Sequence, residues 1–351
     1  MFETQIRNSD GFFAPREAPS PTPPAPPDRR RDAWVIGGYF LAVLVLGAAL
    51  APPLFWGGRT LVGLIESFKW TQMPVFGFIH HHVGKADFTR FFNRAILVAA
   101  IACLWPATRF LRIRRGELGL RPNPARWLHL GVGFLAGAGL LLAMGLFYLA
   151  ADAFVWKKSI AWGSAIRESL VRAAGAGILE EWFFRGALLG LMLRASSPRR
   201  ALLFVTTVFA AVHFLQAPEK LVIRDGVEWG TGFWLIGQIL GSFADANFIL
   251  AEFATLWVAG WILGMARLRT GSLWLSIGLH SGWIFGIGLF AAVARASKAV
   301  ARDQWLPWIG ETLKSGLVPL AVLALTGAAL AWLDKPAPGS SREAQTDPNA
   351  S

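Results

Sequence analysis

Long apolar stretches separated by short polar segments dominate this chain. The first covers about residues 33–56 and is interrupted near its end by Pro52 and Pro53. The later apolar stretches cover about residues 95–111, 128–151, 173–194, 200–216, 247–266, 273–294 and 317–333. A helix needs about 20 residues to cross a bilayer, and lipid accepts only helices and closed barrels. The pattern therefore predicts an all-α, multi-pass integral membrane protein with about eight transmembrane helices.

Composition supports a membrane protein and changes how the positive charge is interpreted. Of the 351 residues, 54% are hydrophobic and only 16% are charged, and the mean hydropathy is +0.45. The net charge of +12 comes largely from arginines that flank the apolar stretches, as in cytoplasmic loops, so we expect no nucleic-acid partner. The clearest such cluster contains Arg109, Arg112, Arg114, Arg115, Arg121 and Arg126. We predict a bacterial inner-membrane protein with both termini in the cytoplasm.

The two ends of the chain differ from its apolar middle. Residues 1–32 contain a proline-rich run at 19–27 and little apolar sequence, which predicts a disordered cytosolic tail. Residues 33–333 form the predicted helical membrane domain, and residues 334–351 form a second disordered tail.

A polar segment at residues 57–93 follows the first apolar stretch and contains His80, His81 and His82. Three consecutive histidines point in different directions in a regular helix or strand, so we do not expect them to bind a metal together. Cys103 is the only cysteine and lies within an apolar stretch, which excludes an intrachain disulfide.

Three ionisable residues stand close together inside the fourth apolar stretch: Glu180, Glu181 and Arg185. A charged side chain at the centre of a membrane helix costs about 2.5 to 3.5 kcal/mol on insertion scales, so such residues indicate a functional site. Glu181 and Arg185 are four residues apart, the spacing and order that favour an ion pair on a helix. Glu180 lies about 100° further round the helix and is predicted to be the free carboxylate, available as a general base.

The next predicted helix carries a histidine at the same depth as Glu180. Glu180 lies 14 residues before Arg194, and His213 lies 13 residues after Arg200. At about 1.5 Å per residue, both side chains lie about 20 Å along two antiparallel neighbours, so they can meet. Phe209 precedes His213 by four residues and is expected to pack against its ring.

His280 is a second histidine well inside a predicted span, nine residues after Gly271. A buried histidine can simply hydrogen-bond a neighbouring helix. The free carboxylate of Glu180 at a matching depth favours a catalytic role instead, with the active site between the fourth, fifth and seventh helices.

Polar residues also occur at the outer end of the sixth predicted span: Asp245, Asn247 and Glu252. They either line a water-filled vestibule or mark the start of the helix, and we favour the second interpretation.

The motif E-E-x-x-x-R (Glu180, Glu181, Arg185), then F-x-x-x-H (Phe209, His213) and a further intramembrane histidine (His280) resembles the CAAX prenyl endopeptidase and bacteriocin-processing (CPBP) family of intramembrane glutamic proteases. The resemblance covers residues 169–294. It implies an intramembrane endopeptidase without a metal or other cofactor, acting on a peptide or protein substrate in the bilayer, such as a prenylated C-terminal sequence.

The resemblance also implies a role for each motif residue. Glu180 would activate a water that His213 helps to hold, and His280 would stabilise the oxyanion. Ile284 occupies the position where the family often has asparagine, so one oxyanion donor is missing or comes from elsewhere, such as Ser281 or a backbone N–H.

The sequence is compatible with two alternatives. Two histidines and a carboxylate are also a catalytic zinc set, which would make the protein a zinc-dependent intramembrane protease. Ile284 favours the second alternative, a non-catalytic membrane scaffold or immunity-type protein.

Overall fold

The structure is almost entirely helical. The computed structural model describes residues 29–112, 117–120, 123–213, 223–242 and 246–333. The second predicted tail and residues 1–28 of the first lie outside the described residues, whereas residues 29–32, also predicted to be disordered, begin the first helix. The helices are α1 (Arg29–Ser67), α2 (Pro74–Gly84), α3 (Phe88–Phe110), α4 (Arg126–Ala150), α5 (Trp162–Glu181), α6 (Leu189–Ala195), α7 (Pro198–His213), α8 (Thr231–Ser242), α9 (Ala246–Thr270), α10 (Trp274–Val293) and α11 (Leu317–Leu333). Two three-residue strands, β1 (Phe154–Trp156) and β2 (Ala294–Ala296), pair in antiparallel fashion.

Four helices of the described part of the chain are long and apolar enough to cross a membrane by themselves. They are Arg30–Ser67, Phe88–Phe110, Arg126–Ala150 and Trp274–Val293, and α11 contributes a shorter apolar stretch, Leu317–Ala328. The chain is therefore an all-α integral membrane protein, as the apolar pattern predicts. The number of eight spans stays a prediction, because the helices that carry the charged motif residues do not qualify by apolar composition alone.

The expected break at Pro52 and Pro53 is wrong. Helix α1 continues through both prolines to Ser67, and Ala51 and Phe55 are buried in a cluster with residues of α3 and α8. A proline removes one backbone hydrogen bond, but membrane helices tolerate proline where they pack against neighbouring helices. The supposed polar segment 57–93 is correspondingly helical over most of its length.

The three consecutive histidines lie on α2 and make separate contacts. His80 Nε2 lies 2.7 Å from Glu66 Oε1, and His82 Nδ1 lies 2.9 Å from the carbonyl of Phe78. Among the residues that the structure describes, no group of three or more His, Cys, Asp or Glu side chains is arranged to hold a metal ion.

Helix α10 lies at the centre of the bundle between α4 and α5. It runs parallel to α4, because Gly133 faces Gly278 and Gly145 faces Phe290. A helix that is apolar on all sides belongs in a core, and α10 is buried on most of its surface around His280.

Helix α5 runs antiparallel to α10. Gly177 of α5 lies against Ser281, and Ser169 lies against Gly288. The direction of the two helices brings the acidic pair that follows Gly177 to the level of His280.

Helices α7 and α9 are also antiparallel neighbours. Gly260 lies opposite Phe209, and Gly264 lies opposite Leu202. Residues towards the C-terminal end of α7 are therefore on the same side of the bundle as residues towards the N-terminal end of α9.

Replacing Gly133 with alanine is expected to lower the free energy of unfolding by about 1–3 kcal/mol, the usual cost of overpacking. A Cβ atom at this position would stand 2.8 Å from both the Leu275 carbonyl oxygen and the Leu279 nitrogen, which are backbone atoms of α10. Gly131 on the same helix is the control, because a Cβ atom there meets nothing within 4 Å. Gly131→Ala should be neutral or stabilise by up to about 1 kcal/mol through helix propensity. Thermal unfolding of both variants in the same detergent checks this, and equal stability would contradict the close approach of α4 and α10.

Candidate active site

The acidic motif stands where an α-helix changes into a wider one. Helix α5 ends at Glu181, a π-helical segment follows from Trp182 to Leu188, and α6 then completes the same long helix. Such segments are rare and frequently occur at functional sites. Arg185 lies within this wider segment.

Glu181 and Arg185 form a buried ion pair. Arg185 Nη1 donates to Glu181 Oε1 at 2.8 Å, and the exposed fractions of the two side chains are 1% and 0%. Arg185 Nη2 also donates to the carbonyl of Gly260 at 3.2 Å, and its guanidinium lies 4.1 Å from the ring centroid of Phe209. Arg185 thus connects the acidic motif with both α7 and α9.

Glu181 also forms a hydrogen bond with His280, which the sequence did not indicate. His280 Nδ1 lies 2.9 Å from Glu181 Oε1, the same oxygen that accepts from Arg185. A carboxylate can only accept, so Nδ1 of His280 carries the proton in this hydrogen bond. No feature of the sequence pairs residues on α5 and α10, so this contact could be found only from the tertiary structure.

His213 is oriented in the same way by a backbone group. Its Nδ1 lies 2.7 Å from the carbonyl oxygen of Phe209, one helical turn earlier. A carbonyl oxygen only accepts, which assigns the proton to Nδ1 and turns Nε2 towards the acidic motif.

Glu180 faces both histidines with a single oxygen. Its Oε2 lies 3.8 Å from His213 Nε2 and 3.7 Å from His280 Nε2. These distances are too long for direct hydrogen bonds. The side chains of Glu180 and His213 are each 31% exposed, whereas His280 and the Oε2 atom of Glu180 itself are buried.

Phe209 packs among the polar groups of the site. Its ring centroid lies 4.6 Å from that of His213 and 5.7 Å from that of His280, both edge to face. The expected contact between Phe209 and His213 is present, and the same ring also limits the space around His280.

The structure brings together all of the residues that the sequence selected for this site. They are Glu180, Glu181, Arg185, Phe209, His213 and His280. They lie on the helices that correspond to the fourth, fifth and seventh predicted spans, α5 with its π-helical continuation, α7 and α10.

The two positions considered for the oxyanion side lie on α10. Ser281 is buried against Gly177, where an added Cβ atom would overlap its hydroxyl oxygen. Ile284 follows His280 by one helical turn, is half-buried, and offers no hydrogen-bond donor in its side chain.

A comparison with known protein families gives a match over the region that holds the site. Residues 161–286, about a third of the chain, match the family model described as type II CAAX prenyl endopeptidase Rce1-like. No curated protein and no solved structure matches the chain significantly. All six residues of the site lie within the matched segment, and the resemblance seen in the sequence is confirmed for this segment by its match to the model of the Rce1-like type II CAAX prenyl endopeptidases.

Proposed function

We propose that this protein is an intramembrane endopeptidase in which Glu180 activates a water for attack on a peptide bond. The observation that carries the proposal is the convergence of Glu180 Oε2 and two imidazole Nε2 atoms within 3.7–3.8 Å. A water that hydrogen-bonds Glu180 and His213 together would be held for deprotonation, as general base catalysis requires.

The hydrogen bonds behind the histidines support separate roles for the two rings. His213 Nδ1 is committed to the carbonyl of Phe209, so its Nε2 is free to accept a hydrogen bond from the attacking water. His280 Nδ1 is committed to Glu181, whose negative charge stabilises the ring when Nε2 also carries a proton. The Nε2–H group of His280 then donates to the oxyanion that forms on the scissile carbonyl.

The reaction balances with these groups alone. Glu180 takes one proton from water, and the resulting hydroxide attacks the carbonyl carbon to give a tetrahedral intermediate. The proton on Glu180 passes to the amide nitrogen, the C–N bond breaks, and the products are a carboxylic acid and an amine. With Ile284 beside His280, the side chains supply one oxyanion donor, and a missing donor costs about 100- to 1000-fold in rate.

Replacing His213 with glutamine tests this proposal. The variant is expected to cleave a fluorogenic peptide, carrying the prenylated cysteine of a CAAX sequence, about 100-fold more slowly than the wild type, because the water loses its second anchor. His81→Gln is the control, since His81 is exposed on α2. Equal rates for the two variants would contradict the assignment of His213.

A chelator added to the same assay separates the metal-free mechanism from a zinc-dependent one. We expect unchanged cleavage after chelation, whereas stoichiometric zinc in the purified protein together with loss of cleavage would establish the zinc mechanism. Ile284 favours the second candidate function, a non-catalytic scaffold or immunity-type protein. That function would be supported if the wild-type protein bound the peptide but left it intact.

We also propose a bacterial inner-membrane location with the arginine-rich end of the bundle in the cytoplasm. Supporting this, Arg194 at the end of α6 lies 3.3 Å from Asp32 of α1 and 3.1 Å from Glu117. Arg267 of α9 donates to the Glu117 carbonyl at 3.2 Å. Arginines that are distant in the sequence thus meet at one end of the bundle, as expected of a cytoplasmic face.

A further inference from the structure

The strands β1 and β2 lie at the end of the bundle opposite its arginine-rich end. Strand β1 begins four residues after the last residue of α4, and β2 follows α10 directly. Helices α4 and α10 are both long and apolar enough to cross the bilayer, and they run parallel, so their C-terminal ends lie at the same membrane surface. The paired strands therefore lie where the hydrocarbon core of the bilayer meets the lipid headgroups.

The backbone that follows β2 is held by hydrogen bonds and by the core. The Ser297 N–H donates to the Ala153 carbonyl at 3.0 Å, which extends the pairing beyond the strands. The Ser297 carbonyl accepts from the Ala301 N–H at 3.0 Å in a helical turn, and Val300 of this turn is buried in the main apolar core. The side chains of the turn therefore project from a fixed backbone.

The connection from this turn to α11 is anchored on α9 as well. Lys314 Nζ lies 2.8 Å from Glu252 Oε1, and Ile309 and Leu313 are buried in the main apolar core. Glu252 lies well past the first turn of α9, so the expectation that it marks the start of that helix is wrong. The turn that follows β2 is thus held at both of its ends.

The strands and the turn carry positive charge without negative charge. Residues 153–162 and 294–302 include no Asp or Glu, and their five basic residues are Lys157, Lys158, Arg295, Lys298 and Arg302. The ammonium of Lys157 donates to the Ala291 carbonyl at 2.6 Å, whereas the other four basic residues are exposed. Within the part of the chain that the structure describes, no ion pair joins these four to a carboxylate, and the flanking Asp152 and Asp303 form none either.

Two exposed tryptophans accompany the four basic residues. Trp156 of β1 and Trp162 at the start of α5 have ring centroids 6.2 Å apart. Tryptophan is enriched at the level of the headgroups, because its ring is apolar and its N–H is polar. We call these six residues the hairpin surface: Lys158, Arg295, Lys298, Arg302, Trp156 and Trp162.

We propose that the hairpin surface binds the headgroups of anionic phospholipids. Basic residues normally collect on the cytoplasmic side of a membrane protein, so exposed cations at the opposite end require another reason. A guanidinium binds two phosphate oxygens at once, and each basic residue near an anionic membrane surface adds to the attraction. All phospholipids carry a phosphate, but in zwitterionic lipids the amine of the headgroup neutralises it. None of these residues belongs to the candidate active site, so the inference does not rest on the proposed peptidase.

A fluorophore beside the surface tests which lipid collects there. It is attached to Ser159→Cys in a full-length chain that also carries Cys103→Ala, because Ser159 is exposed between Lys158 and Trp162. The protein is reconstituted into phosphatidylcholine vesicles that contain a small fraction of either phosphatidylglycerol or phosphatidylcholine with a quenching nitroxide on the acyl chain. We expect phosphatidylglycerol to be enriched at the fluorophore at least about fivefold over phosphatidylcholine, the factor that one basic residue contributes.

Three variants of the labelled chain show whether the hairpin surface causes this enrichment. Arg295→Gln with Lys298→Gln and Arg302→Gln should bring the enrichment close to onefold. Arg295→Lys with Arg302→Lys keeps the charge and should keep most of the enrichment. Lys69→Gln with Lys85→Gln removes two exposed lysines near α2 and should leave the enrichment unchanged.

The labelled chain without these substitutions already gives a decisive result. Equal quenching by the two lipids would overturn the inference, whether or not the triple variant folds. Enrichment that persists in the triple variant would overturn it as well, because the anionic lipid would then be attracted by other groups. An equal loss of enrichment in the Lys69→Gln and Lys85→Gln variant would assign the effect to net charge and would also overturn it.

Discussion

Replacing Glu180 with glutamine is expected to lower the rate of peptide cleavage by about 100- to 10,000-fold, the range that general acid–base groups contribute. Glutamine keeps the shape of the side chain but cannot take a proton from water. The two Nε2 atoms that lie 3.7–3.8 Å from Glu180 Oε2 would then face a neutral amide. Cleavage of the fluorogenic peptide by purified protein in detergent or lipid vesicles measures the effect.

Glu168→Gln is the matched control for this substitution. Glu168 lies on the same helix, away from the site, and its side chain is 57% exposed. Its Oε2 atom lies 3.5 Å from Nη2 of Arg172. The Glu168→Gln variant should cleave the peptide at the wild-type rate. If Glu180→Gln retained full activity, or if both variants lost activity alike, Glu180 would not be the base.

The second large effect concerns stability. Glu181→Gln is expected to lower the free energy of unfolding by about 3–5 kcal/mol, the cost of removing one partner from a buried ion pair. Arg185 would remain buried without its carboxylate, and His280 would lose its charged acceptor. Thermal or denaturant unfolding in the same detergent gives the change, and Glu181→Gln should also cleave more slowly because His280 is no longer oriented.

The exposed pair on α5 again provides the comparison. Glu168→Gln removes an ion pair of the same spacing, but an exposed pair contributes about 0–1 kcal/mol, so its stability should stay near that of the wild type. A Glu181→Gln variant as stable as Glu168→Gln would show that the contact between Glu181 and Arg185 contributes little to the fold.

Local spacing was enough to predict the central part of the site. The separation of four residues indicated the pair of Glu181 with Arg185, and equal depth along antiparallel helices indicated that Glu180 meets His213. Both arguments depend only on helix geometry, which apolar sequence specifies well in a membrane. The all-α fold follows from the same property.

Contacts between helices that are distant in the sequence could not be predicted in this way. The hydrogen bond of His280 to Glu181 depends on how α10 docks against α5, and the ion pair of Lys314 with Glu252 depends on a folded connection. The passage of α1 through Pro52 depends on packing against α3 and α8, which overrides the local preference of proline.

The π-helical segment Trp182–Leu188 affects how the two ends of the helix formed by α5 and α6 are oriented relative to each other. Its hydrogen bonds span five residues instead of four, so it accommodates an additional residue between two fixed ends. One end is held by Glu181 against α10, and the other is held by Arg194 against Asp32 and Glu117. Deleting one residue here would convert the segment into a regular α-helix and leave the two ends near their present orientation. A chain shortened by one residue after Arg185 would therefore keep every motif residue and both anchored ends in register, whereas the same deletion in a regular part of the helix would turn one end by about 100°.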